Sequence, residues 1–200
     1  MNRLLLLFLV CSLGAVAQNP KLDSLKTALE AATSAEKRAH IELSLARQYE
    51  RIDLNLGKQY ALNALKFTGN DSLAAETHNQ LGRFYFFSSA LDSAAYHFDQ
   101  TRSLMAKMGD SSKMAVVSIS LGAIQLRNGD YRATVNTLTQ AAQYFESVDD
   151  ELNAAKCYSN IASAFAELEN YPKAIEYSEK SLDIFNRLEQ VQYQLITLPN

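Results

Sequence analysis

Residues of matching character recur at an offset of forty along this chain. Leu81-Gly82 is followed forty residues later by Leu121-Gly122, and Leu121-Gly122 by Ile161-Ala162. At the same offset Ala115 falls on Ala155, Asp130-Tyr131 on Asn170-Tyr171, Phe145 on Phe185 and Gly109-Asp110 on Asp149-Asp150. Leu45-Ala46 precedes Leu81-Gly82 by 36, so the first unit is shorter. A fixed period of this length marks a chain built from stacked supersecondary units, each too small to bury its own apolar face alone. Within a unit the apolar residues keep helical spacing: His78, Leu81, Gly82 and Tyr85 share one helix face, and Ala94, Phe98 and Leu104 follow after a break at Ser88-Ser89. Each unit therefore reads as a helix pair, with Gly82 and Ala94 small enough to let the paired helices approach.

Composition agrees with long helices and short turns. There are 7 Gly and 3 Pro in 200 residues, against roughly 24 at average usage. No proline lies between Lys21 and Tyr171. A β-sandwich or barrel needs many more Gly- and Pro-built turns, and 48% hydrophobic residues exclude a disordered chain. Nineteen basic against 22 acidic side chains give −3, with no basic block and no Trp, so no nucleic-acid partner is expected.

The breaks carry helix-start chemistry. Thr33 with Glu36 reads as a capping box. Gly69-Asn70 and Gly109-Asp110 place Gly after one helix and a side-chain cap before the next. Gly129-Asp130 and Asn170-Tyr171-Pro172 open second helices, with Pro172 in a first turn where its missing N–H costs nothing. The expected organisation is a signal segment at 1–17, a leading helix at 18–33, four helix pairs over 34–189 and the start of an incomplete fifth at 190–200. The signal reading rests on Arg3, the apolar run Leu4 to Val10 and the Ala15-Val16-Ala17 cleavage pattern before Gln18. Cleavage would leave 183 residues (200 − 17), with Cys157 as the one cysteine and so no internal disulfide. Val10 is bulky for the small position that precedes a lipidated cysteine, so Cys11 is the minor route to a membrane; the other is a segment beyond residue 200.

The pattern resembles the tetratricopeptide repeat (TPR), W-x2-L-G-x2-Y then A-x3-F. The second unit gives His78-x2-Leu81-Gly82-x2-Tyr85, then Ala94-x3-Phe98; the fourth gives Tyr158-x2-Ile161-Ala162-x2-Phe165, then Ala174. The first reads Leu45-Ala46-x2-Tyr49, then Gly57-x3-Ala61; the third carries Gln125 and Thr134 where Tyr and Ala are expected. The resemblance implies an all-α, right-handed superhelical solenoid whose first helices line a concave groove for a protein or peptide ligand. Carried over by position, that groove would include Arg47, Asn79, Arg83, Phe86, Phe87, Ile119, Leu126, Lys156, Ser159 and Ser163. Arg47 and Arg83 hold equivalent slots, which allows one acidic stretch of a partner to span both, or both to stay solvated. Leu43, Arg47, Val116 and Ser120 occupy most slots of the family's carboxylate clamp, leaving only Asn79 of it. In Phe84-Tyr85-Phe86-Phe87, Tyr85 belongs to the packing signature, Phe84 is expected on the next unit, and Phe86 and Phe87 are available to core or ligand.

No catalytic motif is present, and neither cofactor nor metal is expected. Ser34 to Lys37 matches S-x-x-K only formally, and His40, His78 and His97 lack ligand-like spacing. With its signal segment and unit length, the chain is similar to the exported N-terminal TPR region of bacterial sensor histidine kinases, which continues into a coiled coil, a membrane helix and a kinase. The alternative is a free periplasmic or surface-attached scaffold for envelope assembly.

Overall fold

The computed structural model describes residues 20–188. The signal segment 1–17, Cys11, Gln18 and the fifth-repeat start at 190–200 lie outside the described residues. Among those described, nine helices follow in order: α1 (Pro20–Glu30), α2 (Ala35–Tyr49), α3 (Leu54–Lys66), α4 (Asp71–Phe87), α5 (Leu91–Lys107), α6 (Ser111–Arg127), α7 (Tyr131–Ser147), α8 (Glu151–Glu167) and α9 (Tyr171–Arg187). From α4 onward every helix has 17 residues, about 25 Å at 1.5 Å per residue. Three-residue connections close a half-period of twenty.

The connections share one device. Ser89, Gly109, Gly129, Asp149 and Glu169 all take positive φ, between 56° and 82°. After each, the next backbone N–H reaches back to a carbonyl in the preceding helix: Ala90 to Tyr85, Asp110 to Met105, Asp130 to Gln125, Asp150 to Phe145 and Asn170 to Phe165. This left-handed close satisfies carbonyls that the helix end would otherwise strand. Only two of the five positions are Gly, which is how so few glycines serve so many turns.

Side-chain caps start every first helix: Ser34 accepts from Lys37, Asn70 from Leu73, Asp110 from Lys113 and Asp150 from Asn153. The first of these corrects the sequence reading, which placed a capping box on Thr33 and Glu36. The chain enters α2 one residue later, so Ser34 is the residue with extended backbone and a free hydroxyl at the helix mouth. Asp130, at the start of α7, makes no side-chain cap bond. Asn170 caps α9 with Pro172 in its first turn.

The second and third pairs pack through a small residue facing a large one. A methyl added at Gly82 would meet the Phe98 ring at 2.8 Å, and one at Gly122 would meet Leu138 at 2.5 Å. At the fourth unit the same two positions are Ala162 and Ser178: the small side grows as the large side shrinks. The joint between the first two units works alike, Gly57 of α3 lying under Phe84 of α4, where an added methyl would sit 2.6 Å from the ring. Phe84 therefore packs back on the preceding unit, with Ala46, Ala61 and Leu81, and not on the following one as the sequence suggested. Its face of α4 points toward α3, and Phe86 instead turns toward α6.

The slot that the repeat signature gives to Trp is polar in all four units. Glu42 is buried, its carboxyl raised above the usual range by burial against a side-chain bond from Asn63. Ser118 donates to the Met114 carbonyl, and the Tyr158 hydroxyl donates to Glu146. His78 faces His97 with Nδ1 to Nδ1 at 2.9 Å, so one ring donates and the other accepts. Ring centroids 5.1 Å apart set the imidazoles end-on, the geometry of a hydrogen bond and not of two lone pairs converging on an ion. Tyr85 stacks on His97 at 5.2 Å, and Tyr96 meets it edge-on.

Burial first and His78 second depress His97 from its ordinary value near 6.5 to about 4. The unfolded chain takes up this proton near pH 6.5, the folded chain only near pH 4, so acid favours unfolding in between. The stability tied to His97 is complete above pH 6.5 and is lost as pH falls toward 4. Discounted for partial solvent access, we expect wild type to lose about 1–2 kcal/mol more than His97→Phe between pH 7 and 4.5. Urea titrations of both proteins across that range check this; parallel pH profiles would contradict it.

Candidate groove on the first helices

At two of the three junctions the first helices touch, α2 with α4 and α6 with α8, whereas α4 and α6 do not come into comparable contact and neither do any two second helices. The first helices thus form the tighter, inner side of the stack. All ten groove positions carried over from the repeat pattern lie on them: Arg47 on α2; Asn79, Arg83, Phe86 and Phe87 on α4; Ile119 and Leu126 on α6; Lys156, Ser159 and Ser163 on α8.

At the α2–α4 end, Arg47 pairs with Glu76 at 2.8 Å and Arg83 with Glu50 at 2.6 Å. The two bridges run in opposite senses, one with its arginine on α2 and the other with its arginine on α4. An acidic stretch of a partner reaching both arginines would therefore compete with carboxylates already in place. These are exposed pairs, worth about 0–1 kcal/mol each, so they orient the guanidinium groups more than they hold the fold.

Between α4 and α6 four side chains form a row. Arg83 lies 5.8 Å from the Phe87 ring centroid, Phe87 meets Phe86 edge-on at 6.1 Å, and Arg127 lies 5.0 Å over Phe86. Phe86 is half-buried against the α5–α6 core, and Phe87 is 53% exposed. Along α6 the face turns apolar, with exposed Val116 one turn before Ile119, which packs on the α7–α8 core. On α8 it becomes small and polar. Lys156 donates to Asn153 at 3.1 Å, and the Ser163 hydroxyl to the Ser159 carbonyl at 3.1 Å. The face thus grades from charged through aromatic and apolar to small polar residues.

Glu50, Glu76 and Arg127 belong to this face and escaped the sequence reading. Arg127 follows Phe87 by the repeat offset of forty, a signal that would have found it.

Cys157 is fully buried, and burial pushes its thiol up to about 12. A thiol so seldom ionised is a packing residue, not a nucleophile. Among the described residues no three His, Cys, Asp or Glu side chains come together to hold a metal, and no helix is long and apolar enough to cross a membrane.

Residues 113–187 match the tetratricopeptide repeat family model. No curated protein sequence matches the chain. Its fold is similar to that of a signal transduction ATPase with numerous domains and a tetratricopeptide repeat sensor from Pyrococcus horikoshii, at TM-score 0.79 and 19% identity over 88% of this chain and 28% of that one. It is similar to aspartyl phosphate phosphatase F from Bacillus subtilis, at TM-score 0.75 and 16% identity over 87% and 50%. A Rap protein complexed with competence and sporulation factor aligns at TM-score 0.69 and 13% identity over 84% and 48%. The chain spans half or less of each of these three proteins. Tetratricopeptide repeats are protein-interaction scaffolds and not catalysts, presenting an extended concave surface in place of a reaction centre. The chain folds as an all-α solenoid of the tetratricopeptide-repeat type.

Proposed function

We propose that the chain is a protein-interaction module that receives an extended or helical peptide of a partner along the face of its first helices. The observation that carries this reading is the exposed aromatic and apolar strip on that face, Phe87 at 53% and Val116 at 46% exposure, set among oriented charges and small hydroxyls. Large apolar side chains left open beside directed polar groups are the composition of a docking surface. Ile119→Arg places a charge in the middle of the strip. It is expected to abolish capture of partner polypeptides from extract of the native cells, while Asn136→Arg, on an exposed second-helix position, leaves capture unchanged. Equal capture by both variants would remove the groove.

In finer terms, we read the module as the exported sensor part of a longer signal-transduction protein of histidine-kinase type. Support comes from the Arg3 to Ala17 pattern and the forty-residue unit. Two fold neighbours are themselves a signalling ATPase with a repeat sensor and a Rap protein holding its signalling factor. Export predicts that the protein from its native host begins at Gln18. Sequencing the gene past Asn200 tests the sensor role: a membrane span and a kinase core support it, and a stop codon after one capping helix removes it.

A further inference from the structure

Three arginines stand on the inner helices near α4, and their surroundings differ. Arg47 and Arg83 each hold a carboxylate, whereas Arg127 has none among the described residues. Its guanidinium lies over Phe86 at 5.0 Å, and a single N–H reaches the Ser89 hydroxyl at 3.4 Å. Ser89 is fixed in turn by the left-handed close at φ 59° after α4. The carboxylate at the equivalent slot of the next unit, Glu167, accepts from the Tyr131 hydroxyl at 3.2 Å and does not pair with Arg127. A guanidinium has five donors in a rigid fork; this one lies over an aromatic ring with most of them unused. Beside it Phe87 is exposed, and its ring is steadied by Phe86 on one side and Arg83 on the other.

From this arrangement we infer that Arg127, Phe86 and Phe87 form a subsite for a carboxylate placed next to a large apolar side chain of a bound peptide. The proposal rests on the groove reading above and adds the chemistry of its ligand. The carboxylate takes the open donors of Arg127, and the apolar neighbour covers Phe87. Arg83, already neutralised by Glu50, serves as a wall of the subsite. A neutral peptide would leave Arg127 without a counter-charge while covering it, which disfavours that occupant. The carboxylate can come from an Asp or Glu side chain or from a chain end.

The test selects random peptides on the full chain in two display formats, one with a free C-terminus and one with the C-terminus fused. The enriched sequences are then titrated as labelled peptides. We expect Asp, Glu or a terminal carboxylate within two residues of Phe, Leu, Ile or Met, and about tenfold weaker binding to Arg127→Gln, the loss of one charge-assisted contact. Enrichment in both formats assigns a side-chain carboxylate, and enrichment only with a free C-terminus assigns a chain end; both support the subsite. Circular dichroism and the thermal midpoint of Arg127→Gln should match wild type, since the side chain is exposed. Peptides that lose binding to Ile119→Arg but bind Arg127→Gln as tightly as wild type overturn the subsite and leave the groove standing. Enrichment without acidic residues overturns it as well. Peptides indifferent to both substitutions, or no enrichment at all, remove subsite and groove together.

Discussion

Phe84→Ala is expected to lower the unfolding free energy by about 3–5 kcal/mol, the range for truncating a buried Phe. Phe84 is 1% exposed, and its ring covers Gly57 while packing on Ala46, Ala61 and Leu81. The glycine leaves no methyl to fall into the space vacated, so the cavity cannot close from that side. The location matters as much as the cost, because Phe84 is the joint between the first helix pair and the second. Repeat arrays hold together through nearest-neighbour interfaces; weakening this one should uncouple α1–α3 from α4–α9. Hydrogen exchange of the variant should accelerate in α2 and α3 far more than in α8. A loss below about 1 kcal/mol in urea titration, or uniform acceleration along the chain, would contradict this account of the joint.

Gly122→Ala gives the second large effect, with a sign opposite to intrinsic propensity. Alanine in a helix is favoured over glycine by about 1 kcal/mol. At Gly122 the added methyl would lie 2.5 Å from both Cγ and Cδ2 of Leu138, a fully buried side chain. The atoms in the way include a branch point, so a rotation of the chain end does not clear them. Overpacking of this kind costs about 1–3 kcal/mol, and we expect a net loss of about 1–2 kcal/mol after the propensity gain. Leu138→Ala should cost less in the Gly122→Ala background than alone, a coupling of about 1 kcal/mol or more in a double-mutant cycle. Gly69, with nothing within 4 Å of an added methyl, is the control: Gly69→Ala should stay within about 0.5 kcal/mol of wild type. A more stable Gly122→Ala would contradict the packing described.

These two contacts mark how far the sequence could be read. Gly82 and Gly122 were legible as close-approach positions because a small residue recurs at that slot in every unit (Ala46, Gly82, Gly122, Ala162), and recurrence is what a sequence displays. The direction of Phe84 was not legible. Helical spacing assigns a residue to a face but does not say which neighbour lies against it. The turns show the same limit. Gly109 and Gly129 announce a left-handed close, but Ser89, Asp149 and Glu169 adopt it too, under backbone bonding that their side chains do not advertise. At the groove, the ten positions follow from the offset, whereas the ion pairs of Arg47 and Arg83 do not. Glu76 and Glu50 are 29 and 33 residues away from their partners, short of the 36-residue offset of the first unit, because each pair joins positions one or two turns out of register. Arg127 is marked by no motif of its own and is legible only from its place forty residues after Phe87.

The central claim is that partners are received on the inner face of the first helices. Photo-crosslinking addresses it directly, with a benzophenone amino acid placed in turn at Phe87, Ile119 and Ser163 on that face and at Tyr96 and Asn136 on the second helices. Phe87, Ser163, Tyr96 and Asn136 are exposed in the free chain, so the label is tolerated there, and at half-buried Ile119 a circular dichroism spectrum matching wild type would show that it is. The account predicts partner crosslinks from Phe87, Ile119 and Ser163 and none above background from Tyr96 or Asn136. Crosslinks from Tyr96 or Asn136 with none from the first three would place the partner on the outer face and contradict it.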